Sequence, residues 1–193
     1  MSTNYDETRN NIINAARKVF AQYGYRKTTL DDIASSIGRT KSSLYYYFRS
    51  KEEVFLAVID RDAQQIRNKT IEAVRQASSA RNKFVVHFRS IFIFSNEAKL
   101  YYSFLKEEWY DIYSFVNTLK EKYHNEAIVS ILDILREGVE SGEFEIDNIE
   151  ETAEVIFHII NPLNLPWINE NTDIIFPKVN ALIDVLLKGI LKR

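Results

Sequence analysis

The sequence predicts an all-α fold of about nine helices, and the spacing of its apolar residues and its composition support this. Apolar residues recur at intervals of three and four along most of the 193 residues, which is the period of an amphipathic helix. Only five glycines and three prolines interrupt the chain, and its hydrophobic content of 46% suffices for a substantial core. Cysteine is absent, so neither a disulfide nor a thiolate metal site is available.

The first predicted helix runs from Asp6 to Tyr23 and ends at Gly24, because glycine readily adopts the positive φ of a helix terminus. We expect this helix to support the two helices that follow. Its predicted inward face is Ile12, Ala16, Val19, Phe20 and Tyr23.

Residues 28–51 predict a helix, a tight turn at Gly38 and a second helix. Thr28 and Thr29 are each followed three residues later by an aspartate, so either can form a capping box, with Asp31 or with Asp32. The apolar stripes expected to face inward are Leu30, Ile33, Ala34 and Ile37 on the first helix and Leu44, Tyr47 and Phe48 on the second.

The outward face of the second helix has the chemistry of a DNA-reading surface. Thr40 can cap this helix, and the side chains left facing outward are Lys41, Ser42, Ser43, Tyr45 and Tyr46. Lysine and hydroxyl groups contact phosphates and base edges in the major groove. The alternative is an ordinary helical hairpin with a solvated face, for which two exposed tyrosines would have little use.

A fourth helix follows, capped by Ser50 with Glu53 at the capping-box position, and it extends past Ile71 into the rest of the chain. Lys51 lies in its first turn, where the helix dipole disfavours a cation. A phosphate partner accounts for a lysine at that position.

The charge is divided between the two ends of the chain. From Arg9 to Lys51 nine basic residues face two aspartates, a net charge of +7, which leaves −9 for the remaining residues because the whole chain carries −2. A basic head on an acidic body favours docking to DNA through the head alone. A chance fluctuation is the alternative, but it would have to coincide with the helix-turn-helix.

The run from Ile12 to Phe55 resembles the N-terminal DNA-binding domain of the TetR/AcrR family of bacterial transcriptional regulators. The resemblance implies a three-helix DNA-binding head, residues 1–52, on an all-helical ligand-binding and dimerisation body, residues 53–193. It rests on Ile13-Asn14-Ala15-Ala16, Phe20, Gly24, Thr28-Thr29, Ile33-Ala34, Gly38, Leu44-Tyr45-Tyr46-Tyr47-Phe48 and Lys51-Glu52-Glu53.

Two residues depart from the family pattern. Arg39 stands where an apolar residue is usual, and we expect its stem to cover the core while the guanidinium reaches a phosphate. Ser42 stands where glycine is frequent, so no relative's operator sequence can be transferred to this chain. The DNA contacts predicted from the residues and the resemblance are Thr28, Thr29, Arg39, Thr40, Lys41, Ser42, Ser43, Tyr45, Tyr46 and Lys51.

The body is rich in aromatic residues at helical spacing. Such stripes are usually core, but this many rings with embedded polar groups such as His87 would also suit an apolar pocket for a small hydrophobic or aromatic effector. The candidate ligand contacts are Phe88, Phe92, Tyr102, Phe104, Trp109, Tyr113, Phe157, His158, Asn161 and Trp167.

The last two predicted helices present a wide apolar surface. One is capped by Asp147 and reaches Ile160, and a break is expected where Pro162 and Pro166 remove amide donors. The stripe of the final helix, from Ile175 to Ile190, is wider than one intramolecular neighbour needs. In the resembled family the final two helices form a four-helix dimer interface, which residues 148–160 and 174–191 match.

Catalytic and metal-binding patterns are missing from the sequence. The three histidines are widely separated, and there is no glycine-rich phosphate loop or nucleophile elbow, so we expect no cofactor, no metal and no enzymatic activity. The first residues are polar and acidic, and no run of about 18 apolar residues follows, so no membrane association is expected and the cytoplasm is the expected location.

Three hypotheses follow. The first is a homodimeric repressor that a small, mainly apolar effector releases from a palindromic operator. The second is a DNA-binding regulator that a protein partner controls or that has no effector, with the body filled by its own side chains. The third, an enzyme with a nucleic-acid-binding appendage, lacks supporting motifs. The effector, the operator, the regulated genes and the direction of regulation are not encoded in recognisable residues.

Overall fold

The computed structural model of the chain describes residues 2–99, 120–160 and 172–192, and these confirm the all-α class. Eight helices lie in the described residues, against about nine predicted for the whole chain. A single antiparallel bridge, between Phe144 and Leu191, is the β pairing found there. The helices are α1 (Ser2–Lys27), α2 (Leu30–Ser36), α3 (Lys41–Tyr45), α4 (Lys51–Arg75), α5 (Ala80–Lys99), α6 (Lys120–Glu140), α7 (Ile149–Ile160) and α8 (Thr172–Ile190).

The described residues form two compact units, and the division between them falls inside α4, after Gln64. The first unit holds the described residues up to Gln64 together with those of the segment Glu97–Lys120, and the second holds Gln65–Asn96 and the described residues from Glu121 onward. No described helix has the length and hydropathy needed to span a membrane.

The core of the first unit combines α1 with the helix-turn-helix and the start of α4. Arg17 on α1 holds the buried Asp62 on α4 through its Nε, 2.9 and 2.8 Å from the two carboxylate oxygens. The fully buried side chains of this core include Ile12, Ala16, Phe20, Ile33, Leu44, Phe48, Val54, Phe55 and Val58.

The break at Gly24 corrects one sequence prediction. Gly24 adopts φ 79° and ψ 170°, so the helical register is lost after Tyr23. Tyr23, predicted to face inward, is 51% exposed, and the break brings Tyr25 into the core instead. The Tyr25 ring lies 5.9 Å from that of Phe20 and 5.1 Å from that of Phe55.

The turn between α2 and α3 has the predicted caps. Thr29, rather than Thr28, forms the capping box, with Asp32 as its partner. Gly38 has φ 63°, the left-handed conformation that a tight turn between two helices requires. The Thr40 side chain accepts a hydrogen bond from the amide of Ser43 at the start of α3. The second predicted helix, from Thr40 to Phe48, is the candidate recognition helix, and its helical structure is regular only as far as Tyr45.

The second unit packs α5, α6, α7 and α8 around a second core. α6 ends at a turn in which Gly142 has φ 74° and the amide of Phe144 donates to the carbonyl of Gly138. α7 is capped by Asn148, whose side-chain oxygen accepts from the amide of Glu151, and not by Asp147 as predicted. The predicted break at Pro162 and Pro166 lies outside the described residues.

Candidate nucleic-acid interface

The predicted DNA contacts lie on one segment of the first unit, from the start of α2 to the start of α4. Thr29, Arg39, Thr40, Lys41, Ser42, Tyr45 and Tyr46 are exposed, and Ser43 and Lys51 are half-buried. Tyr46 is 73% exposed, more than the neighbouring Tyr45 at 49%. Thr28 differs from the others because its side chain is buried and its hydroxyl donates to the carbonyl of Gly24 at 2.6 Å. Its hydroxyl is thus occupied in holding the entry to α2.

Lys41 is paired within the protein. Its Nζ lies 2.9 Å from a carboxylate oxygen of Asp31 on α2, and both side chains are largely exposed. The hydrogen bond and the charge of Asp31 raise the pKa of Lys41 above its usual value. The predicted DNA contact of Lys41 would therefore require it to exchange the carboxylate of Asp31 for a phosphate or a base.

Lys51 has intramolecular partners that sequence reasoning missed. Its ammonium donates to the carbonyl of Tyr25 at 2.8 Å and lies 4.2 Å from the centre of the Tyr25 ring. The hydroxyl of Tyr25 in turn donates to Glu52 at 2.8 Å. These contacts explain why a cation is found in the first turn of α4, so a phosphate partner is not needed to explain Lys51 at this position. The DNA contact of Lys51 stays a prediction.

A cleft lies between α1 and the segment from Arg39 to Tyr47, which is called the recognition segment below. It encloses about 290 Å³ and is lined by Asn4, Tyr5, Thr8, Arg39, Tyr46 and Tyr47. The Tyr5 ring lies 5.7 Å from the Tyr46 ring and 4.8 Å from the Tyr47 ring. The three α1 residues were not predicted to take part, because nothing in their local spacing indicates that α1 reaches α3.

The candidate ligand contacts are only partly described. Phe88 and Phe92 are buried in the second core, Phe157 is half-buried, and His158 is exposed. The edge of the Phe157 ring meets His124, a residue not singled out from the sequence, at 4.6 Å. The predicted contacts that lie outside the described residues are Tyr102, Phe104, Trp109, Tyr113, Asn161 and Trp167.

His87 has a buried polar atom without a partner. The side chain lies among aromatic residues of α5, 4.9 Å from the Phe88 ring, and its Nε2 makes no hydrogen bond to the described residues. Burial lowers the pKa of His87 to about 4, so the imidazole is neutral at pH 7. The described part of the chain contains no group of three or more acidic, histidine or cysteine residues arranged to hold a metal ion.

Two helices of the second unit expose apolar residues in register. Val155 and Ile159 are one turn apart on α7, and Ile174 and Val185, eleven residues apart on α8, return to the same side of their helix. Exposed aliphatic residues that share a helix face are typical of a surface that another helix covers.

Two family models match the chain. The model of bacterial regulatory proteins of the tetR family matches residues 12–58, and that of the C-terminal region of QacR-like proteins matches residues 105–192. The "Fatty acid metabolism regulator protein" of Bacillus subtilis is 25% identical over 186 residues, which cover 93% of each chain.

Solved structures share the fold. A TetR-family regulator from Pectobacterium atrosepticum aligns with a TM-score of 0.82 at 19% identity, over 100% of this chain and 98% of that one. The regulator FadR from Bacillus subtilis, in complex with stearoyl-CoA, aligns with a TM-score of 0.67 at 22% identity, over 93% of this chain and 98% of that one.

Proposed function

The chain belongs to the TetR family of bacterial regulatory proteins, and on that premise we propose that it is a homodimeric repressor released from a palindromic operator by a small, mainly apolar effector. Members of this family are transcriptional regulators rather than enzymes. The proposal assigns DNA reading to the first unit, and effector binding and dimerisation to the second.

The observation that carries DNA binding is the exposed face from Arg39 to Tyr46. Thr29 and Thr40 cap α2 and α3, so the short recognition segment starts from a fixed backbone. In the proposed complex, Lys41 and Ser42 would contact base edges in the major groove, and Tyr45 and Tyr46 would contact phosphates. Two such segments in a dimer would enter successive major grooves one helical turn apart.

The effector site is assigned to the aromatic body. Two relatives point to a fatty acyl compound as the first class to test: one is named as a fatty acid metabolism regulator, and the other was solved with stearoyl-CoA. Phe88 and Phe92 would supply apolar walls, and His87 would supply a neutral hydrogen-bonding group. α4 contains residues of both units, so it provides a continuous helix through which binding in the body can bias the DNA-binding head.

Selection of bound sequences from a random duplex library tests the DNA half of the proposal. A palindromic consensus is expected at near-physiological salt. No enrichment of any sequence would remove the operator-reading function. Titration of the protein–consensus duplex complex with stearoyl-CoA should release the duplex. An apolar cation serves as a second probe of different chemistry.

The rival hypothesis, control by a protein partner or no effector, has one observation in its favour. Phe84, Phe88 and Phe92 are almost completely buried by the protein's own side chains, with the Phe84 and Phe88 rings 4.7 Å apart. Operator binding that neither acyl-CoA nor other apolar probes change would favour this rival.

A further inference from the structure

The cleft between the first turns of α1 and the recognition segment has the character of an anion site. The side chains of its lining residues include three kinds of donor: the guanidinium of Arg39, the hydroxyl groups of Thr8 and the tyrosines, and the amide of Asn4. No carboxylate is among its six lining residues, although Asp6 and Glu7 are exposed on the same helix. A surface that offers donors and a cation without an acidic residue favours an anion over a metal or a base.

The burial of Thr8 distinguishes this cleft from an ordinary depression on the protein surface. Its side chain is only 5% exposed, yet it lines the cleft and its hydroxyl makes no hydrogen bond within the described residues. This hydroxyl is not one of the fully buried side-chain atoms without a partner, so it is reached from the cleft. It is therefore available to donate to an oxygen of a bound anion.

Arg39 supplies the charge. Its side chain is exposed, and its guanidinium has no ion-pair partner in the described part of the chain, whereas Lys41 is paired with Asp31 and Arg17 with Asp62. An unpaired guanidinium beside neutral donors can bind a phosphate through two parallel hydrogen bonds. Its position immediately after the turn glycine places it next to the DNA-reading surface.

Tyr5 fixes the geometry of the cleft. Its ring meets the Tyr46 ring edge-on at 5.7 Å and lies against the Tyr47 ring at 4.8 Å, so α1 and the end of the recognition segment are held together. Tyr46, although 73% exposed, is thereby in contact with α1 and lines the same cleft as Arg39.

We propose that this cleft binds a backbone phosphate of duplex DNA next to the recognition helix, and so adds Asn4, Tyr5 and Thr8 to the DNA-binding surface. The proposal rests on the proposed DNA-binding function. A volume of about 290 Å³ accommodates one phosphodiester group with ordered water. Arg39 neutralises the phosphate, Thr8 and Asn4 donate to its oxygens, and Tyr5 acts as a positioning residue for Tyr46.

The test compares three variants on random-sequence duplex and on the selected consensus duplex. Thr8→Val keeps the side-chain shape and should weaken binding to both by about two- to tenfold, the contribution of one hydrogen bond, without changing the salt slope. Asn4→Ala should do the same from an exposed position where folding is not at risk. Arg39→Gln should lower the salt slope by about one unit.

Matched controls lie in the second unit. Thr70→Val makes the same substitution at a buried threonine whose hydroxyl has no partner in the described residues, and Arg81→Gln removes another exposed guanidinium. Neither should change DNA binding. Thr8→Ser retains the hydroxyl and should restore wild-type affinity, and the melting temperature of each variant shows whether the fold is intact.

Ethylation interference on the consensus duplex locates the contact. One phosphate in each half-site should interfere with binding of the wild-type protein but not of Thr8→Val or Asn4→Ala. An unchanged interference pattern in both variants overturns the proposal, even if operator binding stands. Binding of inorganic phosphate to the wild-type cleft with an unchanged interference pattern would identify an anion site unrelated to DNA and would overturn it too. Failure of the wild-type protein to bind any duplex would instead remove the proposed function.

Discussion

At the residue scale, His87 connects burial with the pH dependence of stability. Its pKa is lowered from 6.5 to about 4 because burial penalises the charged imidazolium. The unfolded chain therefore takes up a proton between these two values while the folded protein does not. The stabilisation is fully present above pH 6.5 and is lost as the pH falls towards 4. Between pH 7 and pH 5 the free energy of unfolding should fall by about 2 kcal/mol from this residue alone.

Urea denaturation at pH 7 and at pH 5 measures that loss. His87→Phe retains a ring of similar size and cannot titrate, so its unfolding free energy should decrease less between the two pH values. His158→Phe, which alters an exposed histidine, is the control and should keep the wild-type difference. Equal pH dependence in wild type and His87→Phe would show that the imidazole is accessible to protons in the folded state.

Asp31 is expected to limit DNA binding because it holds Lys41. Asp31→Asn removes the ion pair at 2.9 Å and one negative charge beside the recognition helix. Binding to any duplex should tighten by about two- to fivefold at low salt, with a smaller effect at high salt because both groups are exposed. Fluorescence anisotropy at two salt concentrations measures this, with Asp173→Asn as the control. Weaker binding would mean that Asp31 positions Lys41 for the groove rather than competing with it.

At the element scale, the packing of α6 depends on Gly138. A β-carbon at this position would collide with the ring of Phe144, which folds back over the end of α6. Gly138→Ala should therefore destabilise the protein by about 1–2 kcal/mol, since the overpacking outweighs the gain in helix propensity. Gly189→Ala on α8 meets no atom within 4 Å and should stabilise by about 0.5–1 kcal/mol. Thermal denaturation of the two variants should give shifts of opposite sign, and a rise for both would show that Phe144 moves aside freely.

Local signals predicted the elements well, because each depends on residues three or four apart. The capping box of Thr29 with Asp32, the Thr40 cap and the turn at Gly38 are of this kind. Asp147 was wrongly preferred to the neighbouring Asn148, since both residues cap helices equally well and local sequence does not distinguish them.

Contacts between distant residues could not be predicted in the same way. Tyr5 meets Tyr46 across 41 positions, and Lys51 reaches the carbonyl of Tyr25 across 26. No periodicity encodes such pairs, because they exist only once the helices have packed. The candidate DNA surface was therefore predicted from α2 and α3, while the contribution of α1 emerged from the fold.

At the scale of the whole molecule, the proposed operator recognition would depend on joining two copies of the chain. A single head with a net charge of +7 between Arg9 and Lys51 can bind any duplex, but it reads only one half-site. Joining two heads makes the second binding event intramolecular and raises operator affinity without a new contact. The exposed apolar residues of α7 and α8 should form the dimer interface that joins the two copies.

Val155→Lys tests this dimer interface directly. The introduced ammonium would be buried at a helix–helix interface, so the dimer should dissociate at micromolar concentration in sedimentation experiments. Val129→Lys on α6 is a matched control, because both valines are 55% exposed and the change in charge is the same. Operator affinity of Val155→Lys should fall by at least about a hundredfold, as expected when avidity is lost. Its affinity for a single half-site should remain that of wild type.

A Val155→Lys protein that still sediments as a dimer would place the interface on another surface, and a Val129→Lys protein that dissociates would place it on α6.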